Sequence, residues 1–153
     1  MDNVLQKILA EKKKEVERLK QQPMDIDARA PLSLKGALLA KGGLAVIAEM
    51  KRHSPSKGTL NEEADPAIQA RIYENAGAAA ISILTDRPFF KGDFQDIKKA
   101  RNSVSIPILC KDFIIDRIQI DKAATVGADA ILLIVAALPV DGLKDLFGYA
   151  KER

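Results

Sequence analysis

An α/β fold around a parallel sheet is what these 153 residues predict, and three observations stand behind it. Short apolar runs recur four times, each followed by a stretch of helical periodicity. The runs are nearly continuous in apolar residues, as strands buried on both faces require. Charges stand at the C-terminal ends of two of them, as Glu49-Met50-Lys51 and Lys111-Asp112-Phe113. Right-handed strand–helix–strand units build either an open doubly wound sheet or a closed (β/α)8 barrel. The charges favour the barrel. A doubly buried strand has no cheap place for an ion, and strand C-termini are where TIM barrels keep their active sites.

The elements follow in order. Residues 3–20 predict a helix, with Val4, Leu5, Ile8, Leu9, Val16 and Leu19 recurring at three- and four-residue spacing. Its charged centre includes Lys12-Lys13-Lys14, read as a solvated face. Pro23 ends that region, and Ser33 is a good N-cap for a short helix through Leu38-Leu39 to Gly42. The four strands are expected at 44–50, 79–85, 107–113 and 129–135. Their helices are expected near 66–75, 94–101, 116–125 and from about Asp141 to the end. Residues 1–43 thus form a helical extension, and residues 44–153 form the first four βα units of a (β/α)8 barrel.

Side-chain alternation along a strand puts Glu49 and Lys51 on one face with Ile47, and Val46, Ala48 and Met50 on the other. The apolar second face suits packing against helices, which turns Glu49 and Lys51 into the barrel mouth. In the third strand Lys111 and Phe113 share a face above Leu109, while Cys110 faces the helices as a small buried group. Two lysines and a carboxylate then converge on one anionic ligand. Read singly, each residue has a plainer explanation. The lysines fit surface positions just past their strands, Glu49 fits a structural bridge, and Ser54 and Ser56 fit a turn around Pro55. Phe90, Phe113 and Leu132 fit core, and His53 fits an exposed loop with no role.

Composition narrows the function. One Cys and one His leave no intrachain disulfide and no zinc set. A net charge of +3 and 5% aromatic residues without Trp suit a small anion better than nucleic acid. No apolar run reaches membrane-span length, and the N-terminus lacks a signal-peptide stretch, so the cytoplasm is the expected location.

The segment VIAEMKRHSPSKG at 46–58 resembles the signature of indole-3-glycerol phosphate synthases. ISILTD at 81–86, FFKGDF at 89–94, VSIPILCKDFIID at 104–116 and GADAILLIV at 127–135 continue the resemblance in order. It implies a (β/α)8 barrel with a helical extension ahead of it. It also implies an enzyme of tryptophan biosynthesis, a carbon–carbon lyase that uses no metal or organic cofactor. The family's substrate is a phosphosugar carrying an anthranilate group, 1-(2-carboxyphenylamino)-1-deoxyribulose 5-phosphate. Its ring closure loses CO2 and water. By motif, Lys111 matches the general-acid lysine, Lys51 the lysine that holds the anthranilate carboxylate, and Glu49 their acidic partner. Ser54 matches a substrate-contacting serine, and Phe90, Phe113 and Leu132 match the residues that sandwich the aromatic ring.

The resemblance is to the N-terminal portion only. A barrel of this kind runs to roughly 250 residues, and the family's general-base glutamate and phosphate-binding loops have no counterpart before Arg153. The expectation is a half-barrel inactive alone, which self-associates or pairs with a C-terminal half through its open strand edges. The alternative is a non-catalytic half-barrel that binds an anionic small molecule or a partner chain.

Overall fold

A computed structural model describes residues 4–24 and 29–153; residue 3, the predicted start of the first helix, lies outside them. Helix α1 spans Val4–Lys20 and buries Ile8, Lys12, Val16 and Leu19. Lys12 corrects the sequence reading: it is 1% exposed, not part of a solvated face. The reason is positional. Spacings of four place Lys12 between Ile8 and Val16, in the middle of the buried stripe. Helix α2 (Leu34–Leu39) starts as expected, with the Gly36 N–H donating to Ser33 Oγ at 2.9 Å.

Strand β1 (Ile47–Met50) leads into a small antiparallel hairpin, β2 (His53–Ser54) with β3 (Gly58–Thr59). Helix α3 (Pro66–Asn75) follows, capped by Asp65, with Pro66 in its first turn, where a missing N–H costs nothing. Strand β4 (Ala80–Leu84) is buried along its whole length. A short helix α4 (Arg87–Phe90) precedes α5 (Phe94–Arg101), and β5 (Ile108–Lys111) precedes α6 (Arg117–Thr125). Asp116 and Gln119 form a capping box at the start of α6. Strand β6 (Ala130–Ile131), a 3-10 turn at Val135–Ala137 and helix α7 (Val140–Lys151) complete the described chain.

The four predicted strands form one parallel sheet in the order β1-β4-β5-β6. Met50, Ile81, Ile83, Ile108 and Cys110 face the helical layer and pack with Ala70, Ile97, Ala100 and Ala123. Alanines at the helix contacts let the backbones approach the sheet closely. Cys110 is fully buried, as expected, and burial pushes its thiol well above the ordinary range.

Three expectations need correction. Val46, expected on the helix-packed face, is 52% exposed, because β1 pairs only with β4 and its other edge is open. Of the fourth strand expected over 129–135, only Ala130 and Ile131 pair, with Leu109 and Cys110. With nothing on its far side, the backbone leaves the ladder and turns at Val135–Ala137. His53 is half-buried in the hairpin, not an exposed loop residue.

The end of the sheet where β5 begins is held by one carboxylate. The Asp129 side chain is fully buried and accepts four donors. These are the backbone N–H groups of Leu32 and Ile108, each at 2.7 Å, and the guanidinium groups of Arg101 (2.7 Å) and Arg29. Arg101 also donates to the carbonyls of Val104 and Ile106.

Candidate active site

Parallel register puts Glu49 beside Ser82, and Leu84 beside Lys111, at the C-terminal ends of β1, β4 and β5. Successive side chains alternate, so Glu49, Ser82 and Lys111 share the face opposite Cys110 and Met50. Their tips meet. Lys111 Nζ donates to Glu49 Oε2 at 2.9 Å, and Lys51 Nζ lies 3.3 Å from Glu49 Oε1. The Ser82 hydroxyl reaches Glu49 Oε2 at 3.5 Å, and the Tyr73 hydroxyl fixes the Glu49 carbonyl at 3.1 Å. One carboxylate therefore bridges two ammonium groups, each about one-third exposed. Burial raises the Glu49 pKa, but Lys111 and then Lys51 outweigh it, so the carboxyl is held below its ordinary range.

Lys51, Lys111, Phe90, Phe113 and Leu132 line one cavity of about 60 Å³, together with Leu84, Asp112 and Ile134. The Phe90 and Phe113 rings are 6.2 Å apart at 33° and form an apolar wall beside the lysines. Five of the seven residues singled out from sequence thus share one cavity, and Glu49 touches both of its lysines. Ser54 is buried, and its Oγ accepts the Lys57 N–H at 3.1 Å, so the hydroxyl is engaged in its own turn.

The residues that sequence reading missed lie just behind this cavity. Lys12 reaches from α1 to Asp112 Oδ1 (2.7 Å), Asp86 Oδ2 (3.0 Å) and Glu15 Oε2 (2.9 Å). Burial alone would lower the Lys12 pKa, but Asp112, Glu15 and Asp86 raise it above the ordinary lysine range. Glu15 itself is pushed upward, burial outweighing its attraction to Lys12. Thr85 Oγ donates to Asp112 Oδ2 at 2.6 Å and closes the cluster. The available signal was the four-residue spacing of Ile8, Lys12 and Val16. Further along the rim, Arg52 forks onto Asp96 and ties the end of β1 to α5. No group of three or more His, Cys, Asp or Glu placed to hold a metal occurs among the described residues. No helix among them is long and apolar enough to cross a membrane.

Comparison with known proteins gives a consistent family. The indole-3-glycerol phosphate synthase profile matches residues 5–153. The indole-3-glycerol phosphate synthase of Bacillus cereus (strain ATCC 10987 / NRS 248) is 51% identical over 154 aligned residues, covering 100% of this chain and 60% of the relative. That of Oceanobacillus iheyensis is 50% identical over 151, covering 97% and 58%. The chain therefore spans about three-fifths of the length of these relatives. Among solved structures, (S)-3-O-geranylgeranylglyceryl phosphate synthase from Thermoplasma acidophilum superposes with a TM-score of 0.55 at 15% identity, over 78% of this chain and 56% of that one. At that identity the likeness speaks for the fold alone, an α/β architecture of TIM-barrel type.

Proposed function

The chain belongs to the indole-3-glycerol phosphate synthase family, and from that premise we propose that it carries the acid half of this family's active site. In this reading residues 1–43 are an extension, and residues 44–153 are the first four βα units of an eight-stranded barrel. The reaction is the ring closure of 1-(2-carboxyphenylamino)-1-deoxyribulose 5-phosphate with loss of CO2 and water.

The observation that carries the proposal is the Lys111–Glu49–Lys51 bridge beside the Phe90–Phe113 wall. Attack of an aromatic carbon on a ketone places negative charge on the ketone oxygen. A positioned ammonium neutralises it by giving up a proton. Lys111 is that acid, and Glu49 holds it over the cavity. Lys51 lies on the other carboxylate oxygen of Glu49 and pairs with the anthranilate carboxylate until CO2 departs. Phe90, Phe113 and Leu132 clamp the aromatic ring, and Ser54 shapes the turn that brings its loop to the substrate. The cavity is smaller than the substrate. That fits a site completed by further barrel strands, which supply the base and the phosphate loops.

The open edges support this reading. Leu44 and Val46 ahead of β1, Ile47 at its start, and Val135 after β6 are exposed apolar residues. An apolar groove of about 330 Å³, lined in part by Ile120, Ile131, Leu133 and Phe147, opens beside β6 between α6 and α7. These are surfaces that a neighbouring βα unit would cover. The test is to join the chain to the C-terminal remainder of the Bacillus cereus relative and assay indole-3-glycerol phosphate formation. Turnover is expected from the joined protein, with Lys111→Ala reducing it by about 10²–10⁴-fold, the range for a general acid. A folded but inactive chimera, or a Lys111→Ala variant with unchanged turnover, overturns the assignment.

A further inference from the structure

Lys12 is a buried ion in the middle of a helix, held by Glu15 one turn away and by two carboxylates far off in sequence. Attaching α1 to the sheet does not need it. Replacing a buried ion pair by apolar side chains of similar volume is often neutral or stabilising, whereas such pairs do fix register. Its two distant partners have one property in common: each fixes a segment that bears a wall of the cavity.

Asp112 follows Lys111 directly. Its Oδ1 takes both the Lys12 ammonium and the Phe113 N–H at 2.7 Å, while the Thr85 N–H holds the Lys111 carbonyl at 3.2 Å. Asp86 is the N-cap of α4, accepting the Phe89 N–H on Oδ1 at 2.9 Å, and α4 delivers Phe90. Lys12 reaches the other oxygen of Asp86. A single ammonium from α1 thus joins the two segments whose rings face each other across 6.2 Å.

We propose that Lys12 is a positioning residue: through Asp112 and Asp86 it sets the spacing of the Phe113 and Phe90 rings and the exit angle of Lys111. The helical extension thereby helps shape the aromatic clamp without touching substrate. The proposed catalytic reading enters only in the consequence for turnover, and the structural claim can be judged without it.

The test compares Lys12→Met with Ile8→Ala, a packing change on the same buried stripe that leaves the charge cluster intact. In the chain labelled at phenylalanine, the proton cross-peak between the Phe90 and Phe113 rings is read by NMR. Lys12→Met is expected to abolish it or shift both ring systems, whereas Ile8→Ala retains it even at an equal loss of thermal stability. Asp86→Asn serves if Lys12→Met does not fold. It keeps an oxygen for the α4 cap but weakens the link to Lys12, and should displace the Phe90 resonances while sparing Phe113. In the joined protein described above, Lys12→Met is expected to lower kcat/KM about tenfold or more, through a higher KM from the displaced ring clamp and a lower kcat from the displaced Lys111. If the unsubstituted joined protein is inactive, the catalytic reading fails while the ring contact still decides the role of Lys12. An unchanged ring contact in Lys12→Met, its loss in Ile8→Ala to the same extent, or Phe90 resonances unmoved in Asp86→Asn overturns the proposal.

Discussion

Asp129→Asn is the sharpest stability test the molecule offers. The wild-type carboxylate is fully enclosed and accepts from two backbone N–H groups and two arginines. Asparagine matches its shape but has one oxygen. Whichever way the amide turns, its NH2 faces either the Ile108 N–H and Arg101 or the Leu32 N–H and Arg29. Leaving a buried donor unsatisfied costs about 1–3 kcal/mol, and breaking a buried ion pair from one side costs about 3–5 kcal/mol. Arg101 is largely enclosed and Arg29 is not, so the amide is expected to present its oxygen to Arg101 and Ile108. The loss then falls where the two ranges meet, at about 3 kcal/mol. For a protein of this size, with about 2–4 °C per kcal/mol, the thermal midpoint should fall by about 6–12 °C. Circular dichroism melting measures it, with Asp145→Asn as control, since its pair with Arg117 is exposed on both sides and should leave the midpoint in place. A shift for Asp129→Asn no larger than the control's refutes the account of this cluster.

Glu49 should titrate below the ordinary carboxylate range in a 13C NMR pH series, because Lys111 and Lys51 favour its charged form. Its folded-state value is depressed, so its stabilising contribution is present above the unfolded value and fades as pH falls through the folded one. A midpoint at or above the model-peptide value, or one unmoved by Lys111→Ala, contradicts the bridge. Gly92→Ala should be strongly destabilising, by about 2–4 kcal/mol on the scale of overpacking and backbone clashes, because its added Cβ would fall on the Leu84 carbonyl. Denaturant unfolding checks this, and a neutral result would mean the backbone can give at that point. The chain alone should self-associate through its open sheet edges, and light scattering coupled to size exclusion decides it. A well-behaved monomer at micromolar concentration counts against the edge argument.

Elements with strong local signals were legible in the sequence. Helices over 66–75 and 94–101 match to the residue, since Asp65 and Asp93 cap them and apolar periodicity runs through them. The convergence of Glu49, Lys51 and Lys111 followed from alternation together with a parallel sheet, because parallel strands carry their last residues to the same rim, here from β1 and β5 on either side of β4. What escaped depended on partners remote in sequence. Lys12 looked solvated because lysine clusters usually are, and nothing near it in the chain announces Asp86 or Asp112. The hairpin at His53–Thr59 escaped because two-residue strands have no periodicity to read. The fourth strand was overlong because an apolar run says where a strand can form, whereas pairing decides how much of it does.

The placement of Lys12 also bears on how the molecule comes into being. Helix α1 leaves the ribosome well ahead of its two distant counterions, which lie beyond β4 and at the end of β5. Until Asp86 and Asp112 have been synthesised, Glu15 alone of its three carboxylates faces Lys12, so burying the lysine would leave its charge under-compensated, and α1 is expected to dock after the early strands collect. Contacts between such distant stretches are slow to close. Helix α1 is therefore expected to lock late, after the segments that carry Asp86 and Asp112 are in place.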